Sequence, residues 1–272
     1  MSAKQQHPFH LVELSPWPIL TAFSLLFVTL GVVFLMHGHS MAEYFSIFGG
    51  GAVIFCSYHW WKDVIKEGRV GHHHTEKVRM GLRIGMALFI LSEAMFFFGF
   101  FFSFFLARFF PAGILEGLWV TGEGLWPPKG IQTFDPWDIP FMNTLILLLS
   151  GTTVTWAHYA ITQNDQRNSV MALGITVLLG IAFTTFQAYE YHHAAFKLTD
   201  GIYAANFYLA TGFHGLHVII GTIFLTVCYF RAKNGHFIGG NGHLGFEFAA
   251  WYWHFVDVVW LFLFVFVYVL GR

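Results

Sequence analysis

Charge is what this sequence has least of. Asp, Glu, Lys and Arg make up 11% of its 272 residues, where soluble domains carry roughly 25%. A soluble fold of this length needs a charged shell, and a disordered chain needs low hydrophobicity; with 56% hydrophobic residues this chain suits neither. The formal net charge of −1 offers no basic field for nucleic acid. Cysteine is almost missing too. Cys56 and Cys228 both sit in apolar runs and no CxxC pair occurs, which argues against a disulfide framework or a structural zinc site and for two buried thiols.

What the sequence has instead is apolar length between charges. A membrane-spanning helix needs about 20 mostly apolar residues. The stretch from Glu13 to Glu43 is free of charge and holds a first span near Trp17–Met36. A shorter second span fits between Glu43 and Lys62. Arg83 to Arg108, interrupted only by Glu93, makes a third, Asp138 to Asp165 a fourth and Arg167 to Glu190 a fifth. Asp200 to Arg231 gives the sixth, and Glu247 to Arg272, interrupted only by Asp257, the seventh. The expected fold class is all-α, a polytopic membrane protein of seven transmembrane helices. The polar N-terminus has no cleavable signal pattern, so the first apolar run is read as a span, with Pro16 and Pro18 at its entry.

Ten of the 14 Lys and Arg fall on one side of this layout, which puts the N-terminus inside and the C-terminus outside. Six of those ten lie in the connection Lys62 to Arg83, which is read as a basic loop. That connection is also the expected break in organisation, with an N-terminal arm and two-helix bundle over 1–70 and a five-helix bundle over 71–272. The Gly-, Pro- and Trp-rich connection from Arg108 to Asp138 reads as an ordered external loop. No internal repeat supports an inverted-repeat transporter.

Ionisable groups inside hydrocarbon are costly and face protein or water. Glu93 lies ten residues past Arg83, roughly 15 Å along a helix and near the membrane midplane. Gly85, Ser92, Gly99 and Ser103 form a small-residue stripe that predicts close packing of this helix, with Glu93 flanking it. Two readings of Glu93 stand side by side: a carboxyl reactive towards apolar reagents, or a neutral acid tying two helices together. His214 and His217 lie three apart on the sixth helix, and Trp253, His254, Asp257 and Trp260 crowd together on the seventh. His59 and His158 complete the near-membrane histidines. Imidazoles can ligate haem or copper. Yet two histidines three apart on one helix cannot be the opposite axial ligands of one haem, and no spacing specifies a coordination geometry. Interhelical hydrogen bonding, with Asp257 paired to a histidine or a Trp N–H, is the expected role. His72–His74 is read as a solvated or headgroup-facing run rather than a metal site. Trp60, Trp61, Lys66 and Arg69 beside it suit a lipid phosphate.

Several motifs go further. SPWP (Ser15–Pro18), WWKDVIKEG (Trp60–Gly68), GLRIGMALFILSEAMFFFGFF (Gly81–Phe101), WPP (Trp126–Pro128), TWAH (Thr155–His158), TGFHGLHVIIG (Thr211–Gly221) and GFEFAAWYWHFVDVVWLFLF (Gly245–Phe264) occur in that order. Together they resemble the third subunit of cytochrome c oxidase over essentially the whole chain. The resemblance implies helices 1–2 and 3–7 splayed into a V with a phospholipid-filled cleft. It also implies contact with subunit I and subunit II, with haem and copper held by partner subunits and no cofactor of its own. The implied role is non-catalytic: binding phospholipids, stabilising the catalytic subunit and sustaining its proton uptake. Carried over by position, Glu93 stands at the family's carbodiimide-reactive carboxyl. Trp61, Lys66, Glu67 and His74 fall in the headgroup-contacting segment, Arg231 is a basic partner at the end of helix six, and His10 lies near a proton entry. The long third connection and the additional His72 suggest a bacterial plasma membrane. Alternatives left open are a quinol oxidase subunit and a free-standing proton channel relaying through Glu93, His214, His217 and Asp257.

Overall fold

The computed structural model describes every residue except 1–8, 11, 13, 71–73, 111–125 and 239–242. His72, His73 and most of the external connection after Arg108 therefore lie outside the described residues. Seven α-helices run in order: α1 Trp17–Met36, α2 Ala42–Val70, α3 Glu76–Phe109, α4 Ile139–Thr162, α5 Gln166–His192, α6 Ile202–Lys233 and α7 Leu244–Phe262. A π-helical segment, Leu263–Val269, continues α7. Among the described residues there is no strand. Helices are the only open-chain structure that satisfies every backbone N–H and C=O inside hydrocarbon. Six of them are long and apolar enough to cross a membrane; α2, whose C-terminal part carries Lys62, Asp63, Lys66, Glu67 and Arg69, is not among the six.

One expectation needs correcting here. The basic connection is not mainly a loop: α2 runs on to Val70 and α3 begins at Glu76, so all six basic residues from Lys62 to Arg83 are helical. Trp17 explains part of the extension, because its Nε1 donates to Asp63 Oδ2 at 2.7 Å and ties the charged end of α2 to the start of α1. Contacts divide the chain into two compact units, Met1–Leu82 and Arg83–Arg272.

In the first unit α1 packs along α2. Two glycines set how closely. A Cβ at Gly49 would sit 2.6 Å from Val28 N, and one at Gly31 would sit 2.7 Å from Ser46 N. Only backbone against backbone fits there, which is how small residues let helices associate where lipid removes the hydrophobic drive.

In the second unit α4 packs on α5 and α7, α5 on α6, and α6 on α7. The core is fixed by aromatic rings whose polar tips reach small hydroxyls. Trp253 Nε1 donates to Ser150 Oγ at 2.8 Å, and Trp260 Nε1 to Thr144 Oγ1 at 2.9 Å. Asp165 caps α5 by accepting from the Asn168 backbone N–H. That bond, reinforced by the Asn168 side chain, holds the Asp165 carboxyl below its ordinary value. The cap therefore contributes above the ordinary carboxylate range and is lost as pH falls through the lowered value.

Among the described residues of this chain, the small-residue stripe of α3 meets no other helix closely. A Cβ at Gly85 or Gly99 would meet nothing within 4 Å, and Ser92 is exposed. The face of α3 that is used carries Glu93, Phe97 and Phe104 instead, with Phe97 set edge-on to His217 at 5.1 Å between ring centres. Large rings reaching out from α3 make the contact, so its backbone never approaches another helix of this unit closely.

Candidate functional site

Two carboxyl–imidazole pairs lie within the membrane-spanning helices of the second unit. The first joins α3 to α6. His217 Nε2 stands 3.0 Å from Glu93 Oε2, and His217 Nδ1 stands 2.6 Å from the backbone oxygen of Phe213 one turn earlier. A carbonyl only accepts, so Nδ1 carries a hydrogen. The short contact between Nε2 and the carboxyl then needs one further proton shared between them. Whether that proton sits on the acid or the ring, the pair has no net charge, which makes it tolerable in hydrocarbon. Glu93 keeps 23% of its side-chain surface open while His217 keeps 11%. The carboxyl is thus the partner an apolar reagent can reach. Phe96 and Phe97 flank the imidazole, and Tyr252 stacks against it.

The second pair lies within α7 and is bonded to α4. His254 Nδ1 lies 3.5 Å from Asp257 Oδ2. Its Nε2 bonds to Thr155 Oγ1 at 3.2 Å, while the Thr155 hydroxyl donates to the oxygen of Gly151. Asp257 is buried directly over Gly151, where an added Cβ would crowd its Oδ2. His254 remains 46% exposed, so this pair opens towards the outside of the α4–α7 face.

His214 belongs to neither pair. It is fully buried, with Nε2 on the backbone oxygen of Val256 at 3.2 Å and its ring between Phe183 and Trp260. His214 and His217 therefore turn to different helices despite their spacing. His158 sits against Phe246, also apart from both pairs. Among the described residues no group of three or more His, Cys, Asp or Glu is placed to hold a metal ion.

In the first unit, Trp60, Trp61, Lys66 and Glu67 all lie on α2. Helix geometry separates them: Trp60 and Glu67 share one line, while Trp61 and Lys66 point about 140° apart. Trp61 and Lys66 are exposed. His74 closes against Gly68, with its ring edge-on to His10 at 5.9 Å, so the N-terminal arm and the end of α2 meet. His59 stacks on Trp17. In the second unit, Arg231 ends α6 with its guanidinium 4.8 Å over the Phe237 ring.

Two groupings escaped the sequence reading because their charges served there as span boundaries. Arg83 makes a bidentate ion pair with Glu247, at 3.0 and 2.9 Å, joining the start of α3 to the start of α7. Glu190, at the end of α5, is 1% exposed and bonded to Tyr268 at 2.7 Å. The only signal for it in the sequence is the Gln187–Glu190 spacing, which sets two polar groups on one helix line.

Comparisons with known proteins bear on this arrangement. The family model described as cytochrome c oxidase subunit III matches residues 7–272. A probable cytochrome c oxidase subunit 3 of Rickettsia felis is 66% identical over 268 residues, covering 98% of this chain and 96% of the relative. The cytochrome c oxidase subunit 3 of Prototheca wickerhamii is 53% identical over 98% of this chain and 99% of its own length. That of Arabidopsis thaliana is 50% identical over 100% and 99%.

Proposed function

The chain belongs to the cytochrome c oxidase subunit III family, and from that membership we propose that it is a non-catalytic core subunit of a proton-translocating oxygen reductase. It packs against the subunits I and II that hold haem and copper, binds phospholipids, stabilises the catalytic subunit and sustains its proton uptake. The observation that carries this reading is what the intramembrane imidazoles are used for. Both ring nitrogens of His217 and both of His254 are taken up by groups of this chain, and His214 is bonded to the α7 backbone. These bonds support a role as helix fasteners, with His214 Nδ1 buried and lacking a partner among the described residues, and on this reading redox groups are assigned to neighbouring subunits.

Purification in mild detergent tests it. The chain is expected to co-purify with a haem-bearing subunit and to show no Soret absorption once separated. Stoichiometric haem on the separated chain would overturn the proposal, and proton conduction by the chain alone in liposomes would favour a free-standing channel. A complex that oxidises quinol but not cytochrome c would move it to a quinol oxidase.

Phospholipid retention is assigned to Trp60, Trp61, Lys66, Glu67 and His74 in the first unit and to Arg231 in the second. Exposed Lys66 and Trp61 supply a cation and an amphipathic ring at the charged end of α2. A basic residue near an anionic membrane surface contributes about 1 kcal/mol, so Lys66→Ala and Arg231→Ala should each weaken headgroup retention roughly fivefold. Native mass spectrometry of the complex, made with each change and with both, reads the retained lipid. Unchanged stoichiometry in all three would remove these residues from the role. His10, beside His74, is placed near a proton entry on the same reading.

We place the chain in a bacterial plasma membrane, N-terminus inside and C-terminus outside. Its support is the relatives of four Rickettsia species at 63–66% identity, against 49–53% for those of algae and plants. The charge bias supports the orientation.

A further inference from the structure

The cluster around Glu190 is unlike the two imidazole pairs, because it contains no base to share a proton with the acid. It is assembled from α4, α5 and the π-helical end of α7. Its hydrogen bonds run in one direction. Asn143 Nδ2 donates to Gln187 Oε1 at 3.5 Å, Gln187 Nε2 donates to the Tyr268 oxygen at 3.4 Å, and the Tyr268 hydroxyl donates to Glu190 Oε1 at 2.7 Å. Reversing one amide alone would set two acceptors or two donors face to face, so the chain is oriented as a unit.

All four residues are buried: Asn143 0%, Glu190 1%, Tyr268 3% and Gln187 4% exposed. At the two ends of this chain stand two acceptors, Asn143 Oδ1 and Glu190 Oε2. Both are sealed from the surface, and neither has a hydrogen-bond partner among the described residues. Buried polar atoms in native proteins are nearly always satisfied, and internal water is the usual agent where protein groups fall short. The deficit here is specific in kind: two acceptors in need of hydrogens, one of them a carboxylate oxygen, with Asp138 at the start of α4 acting on Glu190 only through its like charge. A divalent cation would need more anionic oxygen than this cluster supplies. Water, a donor of hydrogens, fits each acceptor.

The π-helix supplies a structural reason for the site. Leu263–Val269 winds more widely than the α-helix before it, and such turns concentrate where a backbone is adjusted to place a particular group. Here the segment carries Tyr268, which links the amide pair to Glu190.

We propose that the Asn143–Gln187–Tyr268–Glu190 cluster is an internal water site, with bound water donating hydrogens to Asn143 Oδ1 and Glu190 Oε2. Water so bound completes the hydrogen bonding at both ends of the chain that fastens the C-terminal π segment to α4 and α5. It also leaves the Tyr268 hydroxyl with a hydrogen that exchanges with solvent only when the site opens.

A map of the intact complex at a resolution that shows ordered water decides the matter. Water density within hydrogen-bond reach of both atoms is the expected result. Direct contact of Glu190 Oε2 with a protein donor, an empty space beside it, or a density with the short contacts of a cation would each overturn the proposal. A second measurement uses Asn143→Leu, which keeps the volume and removes the acceptor. In the assembled variant the water beside position 143 should be lost and the deuterium exchange of the Tyr268 hydroxyl, followed by infrared spectroscopy, should quicken. Exchange at the wild-type rate, with the density unchanged, would count against it.

Discussion

Trp253→Ala is expected to loosen the five-helix unit enough that the subunit is lost from the purified complex under conditions that retain the wild type. Trp253 is wholly buried, and its indole lies between two glycines. A Cβ at Gly221 would come within 2.8 Å of its Cε3, and one at Gly180 within 2.9 Å of its Cη2. The ring fills the space those glycines leave, so its removal opens a cavity bounded by α4, α5 and α6. Lipid tails are as apolar as the core, so the usual gain from leaving water is largely absent and the cost is that of lost packing. A truncation of this size costs about 3 kcal/mol or somewhat more in a soluble core, and the packing share alone is a large fraction of a marginal stability. Ser150 softens the loss only slightly, because its hydroxyl still donates to Leu147 O at 2.6 Å.

The partner substitution sharpens the test. Gly221→Ala should be damaging by itself, since its Cβ would meet a ring that cannot move aside, and nearly harmless once Trp253 is Ala. Thermal retention of the subunit, measured for both single changes and the double, reads that coupling. Additive effects would mean that the two positions do not press on one another.

The second large effect concerns reactivity. Glu93→Gln is expected to abolish labelling of the chain by an apolar carbodiimide while leaving the oxidase assembled and reducing oxygen. An amide forms no acyl adduct, yet its oxygen and nitrogen can still meet His217 Nε2. Glu93→Leu should assemble less well, because it strands a buried ring nitrogen at a cost of about 1–3 kcal/mol. Peptide mapping of the labelled complex reads the first outcome. Label retained in full by Glu93→Gln would shift the reactive carboxyl to Asp257 or Glu190, both more deeply buried than Glu93. Complete loss of oxygen reduction in a fully assembled complex would contradict a non-catalytic role for this subunit.

The membrane class, the seven helices and the chemical character of the intramembrane groups were legible from the sequence, because each follows from local quantities. Apolar length between charges decides which segments enter hydrocarbon, and an acid or imidazole inside such a segment must find a partner whatever the fold. The small-residue stripe of α3 shows where such local reading stops. Periodicity says that a face is smooth, and nothing in one helix says what lies against it. Close glycine contacts occur instead at Gly31 and Gly49 between α1 and α2, at Gly151 beneath Asp257, and at Gly180 and Gly221 around Trp253, among others. Reading Lys62 to Arg83 as a loop failed because charge marks the limit of the hydrocarbon, while a helix is free to continue into water.

The sequence by itself therefore determined where this chain resides and which few residues stand out there. Only the tertiary structure decided the pairings between helices: Glu93 with His217, Arg83 with Glu247, and Glu190 with Tyr268. All three join elements far apart in sequence, and each depends on how one helix is rotated and slid against another. That rotation and slide are fixed by rings meeting glycines across the whole bundle, a sum of many small contacts that no single segment contains.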